Sequence, residues 1–200
     1  MKTIYCYNNQ GIKFQTINES EFSRYQIQSY KLGLQCHIGE FFPFKREASG
    51  MLTLNADGRP IELSDAEKFQ LGIISESEVK EILKSKIRSK IDSITNSVQA
   101  NYTSAEKQSF AVKELEANEF HLEKRSQVDC IVLTNEAKAI FGNSFSATQF
   151  GQIVARVRSK SLQFKTLIGT LSGIRSRLEA RIDSGEYSLN IDSEFSGIGV

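Results

Sequence analysis

The sequence has little of the material from which common active sites are built: no tryptophan, two histidines and three cysteines in 200 residues. Cys6, Cys36 and Cys130 are far apart and odd in number, which fits neither a disulfide framework nor a CxxC metal motif and favours a reducing compartment. His37 and His121 do not have zinc-ligand spacing, so we expect structural or solvent-facing roles. A nucleophile pair of Cys36 with His121 would depend on the fold bringing them together, and nothing in the sequence favours it.

Common catalytic and cofactor motifs are also absent. The chain contains no GxxxxGK[ST] loop, GxGxxG turn, GxSxG elbow or HExxH helix. The acid pairs Glu76 with Glu78 and Glu114 with Glu116 fall at helix starts or on faces expected to be solvated, which favours surface roles over acid–base chemistry. We therefore expect a non-enzymatic protein with no catalytic residues, no cofactor and no metal.

Charge of one sign and long apolar runs are lacking too. The 25 basic and 24 acidic residues are well mixed and leave a net charge of +1, so we expect no nucleic-acid partner. One basic run could touch phosphates, but its interleaving with an apolar stripe favours a solvated helix face; it comprises Lys80, Lys84, Lys86, Arg88 and Lys90. With no apolar run near 18 residues and no apolar N-terminal segment, we expect neither an export signal nor a membrane span.

Residues 146–183 have the period of one very long helix. Ser146 and Gln149 form a capping box at its start. Apolar residues follow at steps of three, four and seven: Phe150, Val154, Val157, Phe164, Ile168, Leu171, Leu178 and Ile182. A helix of about 37 residues would run roughly 55 Å, so it needs partners along its length. Gly169 and Gly173 inside it indicate a close helix crossing or a flexible point.

Further capping boxes predict the helices before it. Ser64 with Glu67, Ser75 with Glu78, and Thr103 with Glu106 each have the required spacing. The predicted helices are a short one after residue 64 that ends at Gly72, an amphipathic one over residues 75–98, one over residues 103–122 and one over residues 128–141. We expect residues 75–120 to pack against the long helix.

Residues 1–63 have a different pattern. Residues 3–7 and 12–16 are rich in β-branched and aromatic side chains, and the four residues 8–11 between them predict a hairpin loop. Residues 19–34 lack one clear period, so we expect an irregular segment with at most one short helix. Residues 51–54 predict another short strand, and residues 55–60 predict a turn in which Gly58 takes a positive φ.

Three aromatic rings lie within four residues at Phe41, Phe42 and Phe44. They could fill a small β core or form an exposed patch for a partner. At the other end, residues 184–200 lose the helical period and predict a flexible tail, although Tyr187, Leu189 and Ile191 alternate as in a strand.

Together these patterns predict an α+β protein. A small β-rich module over residues 1–63 would precede an all-α module over residues 64–183, with amphipathic helices and one very long C-terminal helix, followed by the tail of residues 184–200.

Residues 57–183 resemble small proteins encoded beside phage tail-fibre genes, including tail-fibre assembly chaperones and tail accessory families. The likeness begins in residues 57–68, DGRPIELSDAEK, followed by Gly72 and the lysine-rich helix. It continues in residues 101–110, NYTSAEKQSF, which are similar to a motif of tyrosine, Ser/Thr, two residues, glutamate and an aromatic residue. The absence of tryptophan departs from this pattern, and the N-terminal third of the chain does not share the resemblance.

The resemblance implies a non-enzymatic role in the host cytoplasm, or on the virion, through binding to a tail-fibre or other tail protein. We expect Phe41, Phe42 and Phe44 to contact the partner. The alternative is a structural homo-oligomer in a virion or scaffold, in which the long helix forms a coiled coil. The residues expected to mediate self-association are Phe164, Ile168, Gly169, Leu171, Gly173 and Leu178.

Overall fold

A computed structural model of the chain describes residues 1–198 and confirms the α+β class. A small antiparallel sheet at the N-terminus is followed mostly by helices, the longest of them near the C-terminus. The chain forms two compact units, Met1–Leu83 and Lys84–Val200. This division falls later than the one expected at residue 63.

The sheet of the first unit has three strands, β1 (Lys2–Asn8), β2 (Gly11–Ile17) and β3 (Gln35–Gly39), in the order β2-β1-β3. The predicted hairpin is confirmed, but Asn8 pairs with Gly11, so its loop is two residues long instead of four. Strand β3 was not predicted. Its sequence is short and mixed, and its partner β1 lies about thirty residues away, so no local pattern indicates the pairing.

Helix α1 (Phe22–Lys31) follows a short 3₁₀ turn and covers one face of this sheet. Gln15 Nε2 donates to Tyr25 Oη at 2.8 Å, and Ser29 Oγ lies 3.1 Å from Cys6 Sγ. Because side chains alternate along a strand, Ile4 and Cys6 lie on the face towards α1, whereas Tyr5 and Tyr7 lie on the other face. The segment expected to be irregular therefore contains a ten-residue helix.

Residues 43–63 fold back on themselves without continuous strands. In the region predicted as a strand, Leu52 and Leu54 each form an isolated bridge, to Arg46 and Pro60. The predicted turn is confirmed: Gly58 has a φ of 75° and donates its N–H to the Asn55 carbonyl at 3.0 Å. Positive φ is the region that glycine adopts without steric cost.

Helix α2 (Asp65–Gln70) begins at the predicted capping box. Ser64 N–H donates to Glu67 Oε2 at 2.8 Å, and Lys45 Nζ lies 2.8 Å from Glu67 Oε1. The Lys45 ammonium, followed by the Ser64 donors, lowers the Glu67 pKa from 4.5 to about 2. This carboxylate therefore stabilises the fold above its ordinary pKa, and the stabilisation is lost as pH falls towards 2.

Replacing Glu67 with glutamine is expected to lower the free energy of unfolding at pH 7 by about 1 kcal/mol, a small value because the side chain is exposed enough for water to screen it. The difference from wild type should shrink between pH 4.5 and pH 2. Urea unfolding at several pH values measures it. Glu21→Gln, an exposed glutamate of the same unit, serves as the control, and a difference that persists unchanged at pH 2 would contradict the assignment.

The helices that follow match the predicted order. They are α3 (Glu76–Gln99), α4 (Ser104–His121), α5 (Ile131–Phe141) and α6 (Ala147–Asp183), followed by a final turn, α7 (Ile191–Glu194). The long helix is confirmed with its bounds: Ser146 Oγ accepts from the Gln149 N–H at 3.2 Å, as the capping box requires. Helix α5 starts three residues after the predicted position, and Val128 is exposed.

Helices α4, α5 and α6 pack around one core in the second unit. Its buried residues are Ala117, Cys130, Leu133, Ala137, Phe150, Ile153 and Val154. At its border, Glu136 of α5 forms ion pairs with Lys113 of α4 at 2.7 Å and Arg156 of α6 at 2.5 Å. Further along α6, Lys84 of α3 pairs with Asp183 at 2.7 Å, so α3 also contacts the long helix.

The segment predicted as a flexible tail makes specific contacts with α6. Arg181 donates to Glu186 at 2.5 and 2.8 Å and to Glu194 at 2.5 Å, and these carboxylates raise the Arg181 pKa above its usual range. Phe195 is buried. The alternative strand at residues 187–191 does not form, since α7 begins at Ile191. The last residues of the predicted tail, Gly199 and Val200, lie outside the described part of the chain.

Helix α4 ends with an unusual residue in a common motif. Glu123 N–H donates to the Phe120 carbonyl at 3.0 Å and Lys124 N–H to the Glu119 carbonyl at 2.9 Å, the two bonds of a Schellman ending. Glu123 has a φ of 60°, whereas Gly185 occupies the same position after α6. A side chain in this left-handed conformation is sterically unfavourable.

We therefore expect Glu123→Gly to raise the free energy of unfolding by up to about 1 kcal/mol, because the relief of backbone strain exceeds the added entropy of the unfolded chain. Thermal or urea unfolding measures the change. The matched variant Gly185→Ala should have the opposite sign at the equivalent position of α6. If Glu123→Gly instead lowers the free energy of unfolding, the Glu123 side chain stabilises the fold by more than the strain of its positive φ destabilises it.

Candidate interaction surfaces

The sheet face opposite α1 carries a cluster of aromatic side chains, which we term the aromatic face. It consists of Tyr5, Tyr7, Phe14, Phe42 and Phe44. Strand alternation places Tyr5 and Tyr7 on this side of β1, and the register sets Tyr5 directly beside Phe14 of β2. Phe42 and Phe44 come from the segment after β3, and both rings contact that of Tyr7.

The rings are close enough to interact throughout. Phe42 lies 5.4 Å from Tyr5, 5.2 Å from Tyr7 and 5.3 Å from Phe44, measured between ring centroids. The tilted and edge-to-face angles of these pairs are the arrangements that aromatic quadrupoles favour. The Phe14 ring lies 6.2 Å from Tyr5 at the border of the cluster. The aromatic face is therefore one packed layer with an open side at β2.

Exposure differs sharply across this layer. Tyr7 is buried, which raises its pKa, whereas Phe14 is 75% exposed. The predicted partner residues Phe41, Phe42 and Phe44 are all half-buried. Their exposure is therefore intermediate between the two alternatives from the sequence, filling a β core and forming an exposed patch. The exposed member, Phe14, was not singled out from the sequence. Its position on an edge strand, apart in sequence from the other phenylalanines, gave no local signal.

The residues expected to mediate self-association divide into two groups. Leu171 and Leu178 are fully buried, so these two are already covered in the single chain. Phe164 is half-buried and Ile168 is 39% exposed. A Cβ added at Gly169 or Gly173 meets no described atom within 4 Å, so neither glycine lies at a close helix crossing within this chain.

A further exposed apolar residue extends this open stretch of α6. Leu162 is 67% exposed and lies about 1.7 turns before Ile168, so the two side chains are roughly 120° apart around the helix. We term Leu162, Ile168, Gly169 and Gly173 the open stretch of α6. Leu162 and Ile168 therefore expose apolar surface on different sides of α6, and single exposed apolar residues of this kind are common on proteins.

An open groove of about 730 Å³ lies between the end of α4 and the first half of α6. Its lining includes His121, Lys124, Arg158, Gly151 and Val154. Arg158 Nε donates to Asn118 Oδ1 at 3.3 Å, which directs the guanidinium along the α4 side. No local sequence pattern indicates this groove, because its residues come from two helices and the connection after α4.

The acid pair of α4 is only partly as expected. Glu114 lies at the surface beside Lys165, which lowers its pKa. Glu116, by contrast, is buried, so the expectation that both lie on a solvated face is wrong for this residue. Its carboxylate accepts the Val132 N–H at 3.2 Å and the Leu133 N–H at 3.0 Å, at the start of α5. It therefore caps that helix from another element, which is a structural role.

Within residues 1–198, no group of three or more histidine, cysteine or carboxylate side chains is arranged to hold a metal ion. The described helices include none long and apolar enough to cross a bilayer. No protein-family model, curated protein or solved structure matches the chain.

Proposed function

We propose that this protein is a non-enzymatic accessory protein of a bacteriophage tail or tail fibre. It would bind the fibre in the host cytoplasm to assist its assembly, or remain on the virion as a minor tail component. The resemblance of residues 57–183 to tail-fibre assembly chaperones supplies the partner class. The structural observation that carries a role in protein–protein contact is the aromatic face, whose border residue Phe14 is 75% exposed.

The aromatic face suits a protein partner for two reasons. Aromatic rings supply large apolar contact areas with few rotatable bonds, so they lose little entropy on binding. Phe14 also lies on β2, whose outer edge is free of a strand partner in the described sheet. A partner segment could therefore contact the Phe14 ring beside the half-buried Phe42 and Phe44.

Co-expression with the tail-fibre protein of the neighbouring gene tests this proposal. We expect soluble, trimeric fibre to increase when this protein is present and to fall back with Phe14→Ser, which removes an exposed ring without opening the core. Val128→Ser, an exposed apolar residue of the helical unit, is the matched control and should behave as wild type. Equal fibre solubility and trimer yield with and without the protein would eliminate the chaperone role.

The alternative is a structural homo-oligomer associated through α6. The open stretch of α6 favours it, since Leu162 and Ile168 expose apolar surface on a 37-residue helix. A stable trimer or hexamer of this chain alone, measured by light scattering, would support the alternative, and Ile168→Glu should then dissociate it. Ile140→Glu on α5 is the control. A monomer or dimer that becomes larger only with the fibre would support the chaperone instead.

A further inference from the structure

The β1–β3 register brings two of the three cysteines together. Cys6 and Cys36 are direct cross-strand partners in the antiparallel pair, and their Sγ atoms lie 3.5 Å apart. Directly opposite residues in such a pair have Cα atoms about 4.5–5.5 Å apart. Disulfides span Cα separations of about 4.4–6.8 Å, so the backbone already has a suitable spacing for a bond.

Local packing holds the two thiols on the same side of the sheet. They lie on the face towards α1, where Ser29 Oγ is 3.1 Å from Cys6 Sγ and the Ser29 side chain is itself buried. Ser29 therefore limits the space into which the Cys6 thiol can turn. Burial also raises the Cys36 pKa, and the Ser29 hydroxyl opposes this shift.

Both thiols remain within reach of a small molecule. Cys6 and Cys36 are partly exposed, whereas Cys130 is fully buried in the core of the second unit. Thiol–disulfide exchange requires access to the attacking sulfur, so the first two cysteines are open to it and the third is protected. The chain thus contains one pair of accessible thiols and one buried thiol that serves as an internal reference.

We propose that Cys6 and Cys36 are a modification site that forms a reversible intramolecular disulfide by exchange with a small-molecule disulfide of the glutathione class. The thiolate of one cysteine attacks glutathione disulfide, forming a mixed disulfide and releasing one glutathione thiolate. The second cysteine then attacks the protein sulfur of that mixed disulfide and releases the second glutathione. Two protein thiols are oxidised, one glutathione disulfide is reduced to two glutathione thiols, and the two protons pass to the leaving thiolates.

The bond would connect the central strand to an edge strand across the intervening hairpin and α1. A disulfide that closes such a loop reduces the freedom of the unfolded chain, so the oxidised first unit should resist unfolding at higher urea concentrations than the reduced one. Because Tyr5 and Tyr7 flank Cys6 along β1, the same bond would fix the strand that carries two of the five residues of the aromatic face.

The test uses the full chain equilibrated with mixtures of reduced and oxidised glutathione, then acid-quenched, unfolded and alkylated without reduction. Alkylated sites counted by intact mass should fall from three to one, and peptide mapping should find residue 6 linked to residue 36. In the Cys130→Ser variant, the number of alkylated sites should fall from two to none. Cys6→Ser and Cys36→Ser should each form no internal bond.

A second measurement separates a preorganised pair from two merely reactive thiols. The measured quantity is the squared concentration of reduced glutathione divided by the concentration of glutathione disulfide when half of the Cys6–Cys36 pair is oxidised. This ratio should be at least about tenfold higher for the folded chain than for the chain in urea, since folding holds the thiols together. Equal ratios in the two conditions, three alkylated sites at high glutathione disulfide, or glutathione adducts on both cysteines without a link would each overturn the proposal.

Discussion

Replacing Phe150 with alanine is expected to destabilise the helical unit by about 3–5 kcal/mol, the largest effect of any single core truncation in it. Phe150 is fully buried in the core of α4, α5 and α6. Its ring lies 4.9 Å from Phe120 and 6.1 Å from Phe145, so the substitution removes two aromatic contacts as well as apolar volume. This loss is comparable with the total stability of many domains, about 5–15 kcal/mol.

The position of Phe150 explains why the cavity would not close easily. It comes early in α6, where the helix is held at its start by the Ser146 capping box and beyond it by contacts with α4 and α5. A helix fixed on both sides cannot shift inward to fill the space, and the cost of a cavity rises with the volume that remains.

Urea unfolding followed by helical circular dichroism measures this prediction. Phe141→Ala is the matched control, since this phenylalanine lies on α5 but is 36% exposed, and its loss should be below about 1.5 kcal/mol. Phe150→Leu, which retains most of the volume, should fall between the two. If Phe150→Ala costs no more than Phe141→Ala, the described core does not support the helical unit.

The helical part of the fold could be predicted because its signals are local. The start of α6 depends on Ser146 and Gln149, three residues apart, and its length follows from an uninterrupted apolar period ending at Asp183. The same capping chemistry placed the starts of α2 and α4. The capping signals each lie within about one helical turn and the apolar period lies within one helix, so a single sequence is enough to identify them.

Features that depend on distant partners could not be predicted in the same way. Strand β3 exists because β1 offers it a free edge, and the approach of Cys36 to Cys6 follows from that pairing. Two cysteines thirty residues apart look unrelated until the register is known. Similarly, Leu171 and Leu178 share one apolar period with Ile168, but the surrounding elements cover the first two and leave Ile168 exposed.

Removal of the Glu116 carboxylate is also expected to destabilise the helical unit strongly. Glu116 is another residue whose role depends on a partner that is distant in sequence. In sequence it is one acid among Glu114 and Glu119 on an amphipathic helix. In the fold it meets the start of α5, whose N-cap residue Cys130 makes no side-chain cap. The glutamate replaces that missing local cap by accepting the N–H groups of the second and third helical residues.

The buried charge is compensated from two directions. The N-terminus of α5 carries a partial positive charge, which favours a carboxylate at this position. Arg125 contributes more weakly: its guanidinium is 4.0 Å from Glu116 but 2.6 Å from Glu119, so its main partner is the second acid. The backbone N–H groups of α5 are therefore the chief partners of Glu116.

Glu116→Leu is expected to lower the free energy of unfolding by about 3–4 kcal/mol, since it leaves one buried and one partly buried N–H group without an acceptor at roughly 1–3 kcal/mol each. Glu116→Gln should cost less, about 1–2 kcal/mol, because its carbonyl oxygen can still accept one N–H while the charge is lost. Glu119→Gln removes a partly exposed partner of Arg125 and should cost under about 1 kcal/mol.

Urea unfolding of the three variants gives the order, and amide hydrogen exchange locates the cause. Protection at Val132 and Leu133 should fall in Glu116→Leu, remain partial in Glu116→Gln and stay at the wild-type level in Glu119→Gln. A purely apolar role for residue 116 predicts the opposite order, with leucine better tolerated than glutamine. Leucine at or above wild-type stability would therefore refute capping of α5 by Glu116, because only a hydrogen-bond acceptor can satisfy the N–H groups of that helix.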